Sequence, residues 1–344
     1  MASPLLVTVI DDRDLWDGEV NRLGGHPLQL WGWGEVKAHG AWTAHRIEVS
    51  RGDTTVGLAQ VLVRPLPSRF KSLCYVPRGP VVAGDADGTG DDALRAEVTQ
   101  AVVDWCRTTI GGVGITLEPD WPAGTPLALP GAQPATNPVL YAQTLILDLR
   151  RSDEELMKVM AKKTRQYIRK SEREDLEFRA VHSDAELDAC LAIYRQTAER
   201  AGFGLHPDDY YRLVRRELDV HSPVFAAFAR THDGGPHDRP VAFVWFAAST
   251  RTSFELYGGM DDEGMALRAN YGLKWFAIRS MREQGVVRYD VNGLLNDGIS
   301  TFKRGFADHE DELLGSVDVP FSALYGVWNK ALPLAKKAVR AVHR

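Results

Sequence analysis

The chain has 344 residues, of which 44% are hydrophobic, and a formal net charge of −5 at pH 7. This length exceeds what one ordinary hydrophobic core organises, so two domains are expected. The negative net charge excludes a protein that binds nucleic acid over its whole surface, and any basic site has to be local.

The first half begins with β-strand patterns and ends in a strand–helix–strand order. Alternating apolar residues predict strands at 44–49 and 55–63, which a tight turn joins. An amphipathic helix begins near Leu94 and ends at Gly112, and a short strand follows at 113–117. This order is typical of an α/β unit with helices on the faces of a sheet.

The second half repeats this order. Strands are predicted at 224–229, 240–249 and 252–257, followed by a helix that begins near Leu267 and a strand at 286–291. The tripeptide Leu-Arg-Ala opens both helices, at spacing 173, and Gly-Val follows both. The sequence therefore predicts two copies of one α/β unit with mixed sheets.

A change in composition marks the boundary between the copies. Residues 119–138 are rich in Pro, Gly and Ala and predict an irregular segment before a strand at 144–149. Ser152 begins a capping box, Ser-Asp-Glu-Glu, which predicts a helix start. We place the boundary between 150 and 151, and we expect the basic segment 323–344, with a break near its proline, to return to the first domain.

The helix after the capping box is strongly basic. The run is either a solvated face or a contact for polyphosphate, and its density in an acidic protein favours phosphate. Because no aromatic side chains are interleaved, we expect a grip on the backbone of tRNA or on a diphosphate lipid rather than base reading. We expect Leu156, Met160 and Tyr167 to form its buried stripe. Its basic residues are Lys158, Lys162, Lys163, Arg165, Arg169, Lys170 and Arg173.

Three further segments hold candidate binding residues. Trp33 and Lys37 lie in a tryptophan-rich stretch that is either core or the wall of a cleft for a phosphate or sugar. Arg78 lies in a rigid Pro-containing turn and could present a planar fork to a carboxylate or phosphate. His206 precedes a helix start; a lone histidine is usually structural, and Tyr210 could instead bind a ligand.

The C-terminal third carries the most informative motifs. They are Leu-Arg-Ala-Asn-Tyr at 267–271, Tyr-Asp-Val-Asn-Gly at 289–293 and Phe-Lys-Arg-Gly-Phe at 302–306. A helix N-terminus beside a strand can receive an anion or an acyl carbonyl. Lys303, between two phenylalanines, could hold a phosphate or stabilise a developing oxyanion. The combination favours acyl transfer from a large phosphorylated donor.

Several signatures are absent from the sequence. There is no phosphate-binding Gly-x-x-x-x-Gly-Lys-Ser/Thr loop, no Gly-x-Gly-x-x-Gly fingerprint and no Gly-x-Ser-x-Gly elbow. The three cysteines are far apart and match no zinc spacing, so no metal is expected. No signal peptide and no apolar run of about 18 residues are found, which predicts a cytoplasmic protein.

These motifs, together with the tryptophan-rich stretch, Arg78-Gly79-Pro80 and the basic run, resemble the FemABX family in their order along nearly the whole chain. That resemblance implies two tandem acetyltransferase-like (GNAT) domains of α/β class, the second (151–315) inserted into the first (1–150 plus 316–344). It implies transfer of an amino acid from aminoacyl-tRNA to the stem-peptide amine of a UDP-linked or lipid-linked peptidoglycan precursor. A compact, monomeric member is expected, since no heptad pattern for a coiled-coil arm is found.

The resemblance also implies roles for individual residues. Lys303 and Phe302 are expected at the tRNA acceptor end and the ester, with Asp290 as the candidate that orients the amine. The expected precursor contacts are Lys37, Trp33, Arg78, His206, Tyr210, Tyr257 and Asn270. The family often has arginine at the position of His206, which weakens that phosphate contact. The expected tRNA contacts are Lys162, Lys163, Arg165, Arg169, Lys170 and Arg304.

No cofactor is expected, because the ester is already activated and the enzyme only positions the amine and stabilises charge on oxygen. The alternatives are an N-acyltransferase that uses acyl-CoA, transfer from charged tRNA to another amine, and a non-catalytic binder of tRNA or precursor. The basic C-terminal residues 330–344 are either a packed helix or a peripheral contact with the inner membrane face.

Overall fold

A computed structural model describes residues 3–230, 236–295 and 297–332. The chain divides into two compact units, one made of Met1–Ala142 with Glu312–Arg344 and the other of Gln143–Asp311. Both boundaries fall earlier than the predicted 150/151 and 315/316. The first boundary is earlier because a strand at 146–148 pairs with a strand of the second unit, so the predicted strand 144–149 belongs there.

The β-strands follow the predicted positions closely, with longer bounds. In chain order they are β1 (Leu5–Val9), β2 (Thr43–Arg51), β3 (Thr54–Pro65), β4 (Ser72–Pro77), β5 (Val81–Val82), β6 (Gly114–Glu118), β7 (Gln133–Pro134), β8 (Gln143–Thr144), β9 (Ile146–Asp148), β10 (Leu176–Ala180), β11 (Val224–Arg230), β12 (His237–Ala248), β13 (Thr252–Met260), β14 (Arg288–Asp290), β15 (Asp311–Glu312) and β16 (Val317–Pro320).

Several α-helices begin at a capping side chain that the sequence supplies, as Ser152 and Glu155 do in their capping box. The helices are α1 (Arg13–Arg22), α2 (Trp31–Ala38), α3 (Asp92–Trp105), α4 (Asp153–Val159), α5 (Lys162–Ser171), α6 (Asp184–Ala201), α7 (Asp208–Leu218), α8 (Asp262–Leu267), α9 (Ala269–Glu283) and α10 (Gly298–Arg304). Residues 324–332 are also helical, and the predicted break at Pro333 and the basic segment beyond it lie outside the described residues.

The two units have the same internal order, which confirms the predicted duplication. In the first, antiparallel strands β1 to β4 are followed by α3 and by β6, which pairs parallel to β4. In the second, antiparallel strands β10 to β13 are followed by α9 and by β14, which pairs parallel to β13. Both sheets are therefore mixed, as predicted.

The basic run forms two helices instead of the single helix predicted. Helix α4 ends at Val159, the next residue Met160 has an extended ψ of 147°, and α5 begins at Lys162. Within α5 the buried residues are Thr164, Ile168 and Ser171, whereas Tyr167, which we expected in the buried stripe, is only partly buried. The consequence is that α5 carries most of the basic run, while exposed Lys158 lies on α4.

Helix α5 packs closely on the segments that carry the C-terminal motifs. A Cβ at Gly272 in α9 would lie 2.6 Å from Ser171 Oγ, and one at Gly305 would lie 2.3 Å from Thr164 Oγ1. The amide of Ala161 also donates to the carbonyl of Gly305 at 3.0 Å. Glycine at both positions thus lets the basic helix approach closely, which explains Gly305 of the Phe-Lys-Arg-Gly-Phe motif and the glycine that follows Leu-Arg-Ala-Asn-Tyr.

Candidate functional site

A cavity of ≈ 370 Å³ lies in the second unit, beside β13 and the first turns of α9. It is mostly apolar, with a few polar side chains, as small-molecule sites usually are. The residues discussed below that line it are Glu255, Tyr257, Asn270, Lys274, Asn292, Phe302 and Lys303.

Three irregularities in the backbone shape this cavity. Leu256 is an extra residue in β13, because Tyr257 pairs with Trp245 while Glu255 pairs with Phe246. Arg268 has a φ of +56°, which separates α8 from α9 and places Asn270 in the first turn of α9. Asn292, just after β14, also has positive φ, +53°. Asparagine tolerates that region better than most residues.

Lys303 lies in the last turn of α10 and reaches the cavity. Its Nζ donates to the carbonyl of Gly293 at 3.2 Å and also to the carbonyl of Asn292. Burial lowers the pKa of Lys303, and the negative charge of Glu255 opposes that shift. A partly desolvated ammonium, held by two carbonyls at a cavity wall, is suited to stabilise negative charge on a bound oxygen.

Phe302 and its neighbours brace this lysine. The ring of Phe302 packs edge-on against Tyr271 at a centroid distance of 4.9 Å and against Phe306 at 5.2 Å. Phe306 is completely buried. The aromatic flanks of the motif therefore form a small cluster that holds the end of α10.

A buried ion pair that the sequence reasoning missed lies at the same cavity. Lys274 Nζ lies 2.5 Å from Glu255 Oε1, and the hydroxyl of Tyr289 donates to the same oxygen at 2.6 Å. Lys274 and Glu255 are only 4% and 9% exposed. The signal was present: Lys274 lies on α9 at helical spacing from buried Ile278 and Met281, where a charge requires a partner.

Asp290 is placed differently from the role predicted for it. It is fully buried and is not among the residues that line the cavity. It accepts hydrogen bonds from the Thr144 hydroxyl at 2.5 Å and from the Asn292 amide at 2.8 Å. These contacts favour a structural role for Asp290, in which it fixes the backbone of Asn292, over direct contact with an amine. The carbonyl of Asn292 is one of the two that hold Lys303.

Tyr257, Tyr210 and His206 come together in an aromatic cluster on the same unit. Tyr257 lines the cavity and packs edge-on against Tyr211 at 5.0 Å. Burial, followed by the neighbouring Tyr210, raises the pKa of Tyr257 well above its ordinary value. His206 stacks on Tyr210 with a centroid distance of 4.1 Å. These three predicted residues thus form one group.

The candidates in the first unit are less open than predicted. Lys37 Nζ lies 4.2 Å from the ring centroid of Trp33, which is itself only 8% exposed and belongs to the interior. Arg78 was a candidate to present its guanidinium to a carboxylate or phosphate, but it is 2% exposed and donates to the carbonyl of Tyr141 at 3.1 Å. Arg78 therefore holds the chain at 141 in place.

The basic residues divide into exposed and engaged ones. Lys162, Lys163, Arg169 and Lys170 are exposed on α5. Arg165 instead donates to the carbonyl of Met160 and so caps α4, and Arg304 pairs with Glu310 at 2.7 Å. These two arginines were predicted to contact tRNA, but their guanidinium groups are already partly engaged within the protein.

Tyr167, which we expected in the buried stripe, reaches the surface of α5. Tyr167 lies beneath two cations, with Arg268 at 4.8 Å and Lys163 at 5.5 Å from its ring centroid. The ring of Tyr167 is therefore already in contact with cations of the protein itself. Within the described ranges, no helix is long and apolar enough to cross a membrane and no group of metal-binding side chains occurs.

Comparison with known proteins agrees with this architecture. Residues 158–304 match the family model of the acetyltransferase (GNAT) domain. The lipid II:glycine glycyltransferase of Staphylococcus aureus (strain USA300) is 23% identical, over 93% of this chain and 94% of that protein. The crystal structure of FemX superposes with a TM-score of 0.81 at 18% identity, covering 94% of this chain and 100% of FemX. A tandem GNAT protein from the clavulanic acid biosynthesis pathway gives a TM-score of 0.51 at 12% identity, with coverage of 93% and 99%.

Proposed function

We propose that this chain, an acyltransferase that belongs to the FemABX family, joins an amino acid to the stem-peptide amine of a peptidoglycan precursor, with aminoacyl-tRNA as donor. The observation that carries the proposal is the cavity of the second unit, where the Lys303 ammonium lies beside an apolar space. The similarity to a glycyltransferase that acts on lipid II supports the precursor as acceptor.

The reaction needs no covalent intermediate on the protein. The acceptor nitrogen attacks the ester carbonyl carbon, a C–N bond forms, the ester C–O bond breaks, and the ribose hydroxyl leaves with the proton that the amine gives up. Lys303 stabilises the charge that develops on the carbonyl oxygen, and the cavity walls exclude water from the ester. Phe302 holds the end of α10 so that Lys303 keeps its position.

The exposed cations of α5 supply the phosphate contacts for the tRNA. Arg169, Lys170 and Arg173 line a concave surface at the C-terminal end of α5. The other end of this helix contacts Gly305, which is two residues from Lys303. An RNA bound along α5 is thus held by the same helix that supports the lysine motif.

The alternative donor, acyl-CoA, fits the structure less well. The segment that would have to hold its pyrophosphate, between β13 and α9, carries Asp261, Asp262 and Glu263. The amide of Gly264 is already bound by Asp261 Oδ1 at 2.7 Å. Carboxylates repel a pyrophosphate, and an amide that is already bound cannot cradle one.

The experiment is a direct comparison of donors. Purified protein is incubated with a peptidoglycan precursor and either a mixture of charged tRNAs or acetyl-CoA. The molecular mass of the precursor is then measured by mass spectrometry. The proposal expects the precursor to gain the mass of an amino-acid residue from charged tRNA only. Acetylation of the precursor with no gain from tRNA would assign the acyl-CoA reaction instead.

A further inference from the structure

The two oxygens of the Glu255 carboxylate differ in their hydrogen bonds within the protein. Its Oε1 accepts both hydrogen bonds that the described residues make to this carboxylate, from Lys274 Nζ at 2.5 Å and from the Tyr289 hydroxyl at 2.6 Å. Glu255 lines the cavity but is only 9% exposed. Lys274 and Tyr289 therefore fix the carboxylate by one oxygen and leave the other, Oε2, for whatever fills the cavity.

Glu255 also has a distinct place among the charges of the site. It is the one carboxylate among the described residues that line the cavity, and it shares the wall with Lys274 and Lys303. Asn292 connects it to the reacting end: Lys303 donates to the Asn292 carbonyl, while Asn292 Nδ2 donates to the Glu255 carbonyl at 2.9 Å. The backbone of Glu255 and the proposed oxyanion-stabilising lysine are thus both hydrogen-bonded to Asn292.

Stability alone does not account for this pair. Two charges buried together pay a large desolvation cost, and well-packed apolar residues of similar volume often serve a core equally well or better. A buried carboxylate at the wall of a ligand space, with one oxygen outside the internal hydrogen bonds, instead matches a cationic ligand group, because a charge-assisted hydrogen bond forms there without competing water.

We infer that Glu255 Oε2 binds the α-ammonium group of the aminoacyl donor and thereby selects aminoacyl over plain acyl groups. The inference rests on the proposed function, since it places the ester carbonyl at Lys303. The α-ammonium is separated from that carbonyl by a single carbon, so it falls on the neighbouring wall. Lys274 and Tyr289 act as positioning residues, because they hold the carboxylate and do not touch the donor.

The test uses two RNA minihelices whose 3′ end carries glycine or glycolic acid through a non-reactive amide linkage. They differ only in the α-ammonium and α-hydroxyl groups, and their binding is measured without any transfer. The native protein is expected to bind the glycyl probe roughly 10- to 100-fold more tightly, the factor of a hydrogen bond between charged groups.

Two variants and a control make the result specific. The double variant Glu255→Gln/Lys274→Met removes both charges of the pair together, so no charge is left buried without its partner, and its preference is expected to fall to about 1–3-fold. Lys274→Met alone leaves the carboxylate held by the Tyr289 hydroxyl and is expected to keep a preference intermediate between those of the native protein and the double variant. Glu177→Gln, at an exposed carboxylate on β10, is expected to behave as the native protein.

The outcomes separate this inference from the proposed function. The inference is overturned if the double variant has the same unfolding temperature as the native protein and still prefers the glycyl probe to the same extent. An unchanged preference together with a raised KM for the precursor also overturns it and would assign Glu255 to the acceptor amine. If the preference falls but reactive glycyl-tRNA gives no transfer, the ammonium site stands and the proposed reaction is wrong.

Discussion

Replacement of Lys303 by methionine isolates the charge on which the proposed chemistry depends. Methionine fills a similar volume, but it removes the ammonium from the cavity and leaves the carbonyls of Asn292 and Gly293 without this donor. Loss of one preorganised donor to an oxyanion typically lowers kcat by about 10²–10³-fold. Loss of the two internal hydrogen bonds costs about 1–3 kcal/mol of folding free energy, or roughly 2–10 °C in Tm.

The assay is the initial rate of amino-acid transfer from charged tRNA to the precursor, alongside thermal unfolding of each variant. Lys71→Met is the matched control, because Lys71 is an exposed lysine of the first unit. The reasoning predicts that Lys303→Met stays folded with its transfer rate reduced at least about 100-fold. A folded Lys303→Met protein with a rate within about threefold of the native rate would refute it.

Three further predictions follow from the same contacts. Because burial lowers the pKa of Lys303, its ammonium loses its proton at a lower pH than the ammonium of an ordinary lysine does. The transfer rate, corrected for ester hydrolysis, should therefore fall at alkaline pH, and Lys303→Arg should move that fall to higher pH. Identical pH profiles for the two proteins would contradict this prediction. Gly305→Ala places a Cβ 2.3 Å from Thr164 Oγ1 and should lower the free energy of unfolding by about 1–3 kcal/mol. Adding Thr164→Ala should restore most of that free energy. Additive losses in the double variant would show that the contact is unimportant. Lys162→Gln and Lys170→Gln should each reduce the slope of the logarithm of the tRNA binding constant against the logarithm of the salt concentration by about 0.7–0.9. Arg165→Gln should lower Tm without changing that slope. Equal slopes for all variants would exclude α5 as the RNA contact.

The order of elements could be predicted because it depends on local patterns. Alternating apolar residues predicted β2, β3 and β11 to β13 within a few residues, and the repeated Leu-Arg-Ala with a following Gly-Val predicted the duplication. The break between α4 and α5 was not predictable in this way. No proline or glycine marks it, and Met160 leaves the helix where Arg165 caps the end of α4 and Ala161 bonds to Gly305.

The site was predicted where a motif is continuous in sequence and missed where it depends on tertiary pairing. Lys303, Phe302 and Asn270, which belong to continuous motifs, line the cavity. Glu255 and Lys274 are 19 residues apart, on different elements, and only folding shows that they form a pair. Arg78 and Arg165 looked available because a charged side chain is usually exposed, yet both are held by backbone carbonyls.

The account depends most on the claim that the aminoacyl end of the donor lies in the cavity beside Lys303. A crystal structure with an aminoacylated RNA minihelix, joined by a non-reactive amide, tests that claim directly. We predict the acyl carbonyl oxygen within hydrogen-bonding distance of Lys303 Nζ, about 3 Å, with the RNA phosphates along α5. An aminoacyl group bound elsewhere on the protein, with this cavity unoccupied, would contradict it.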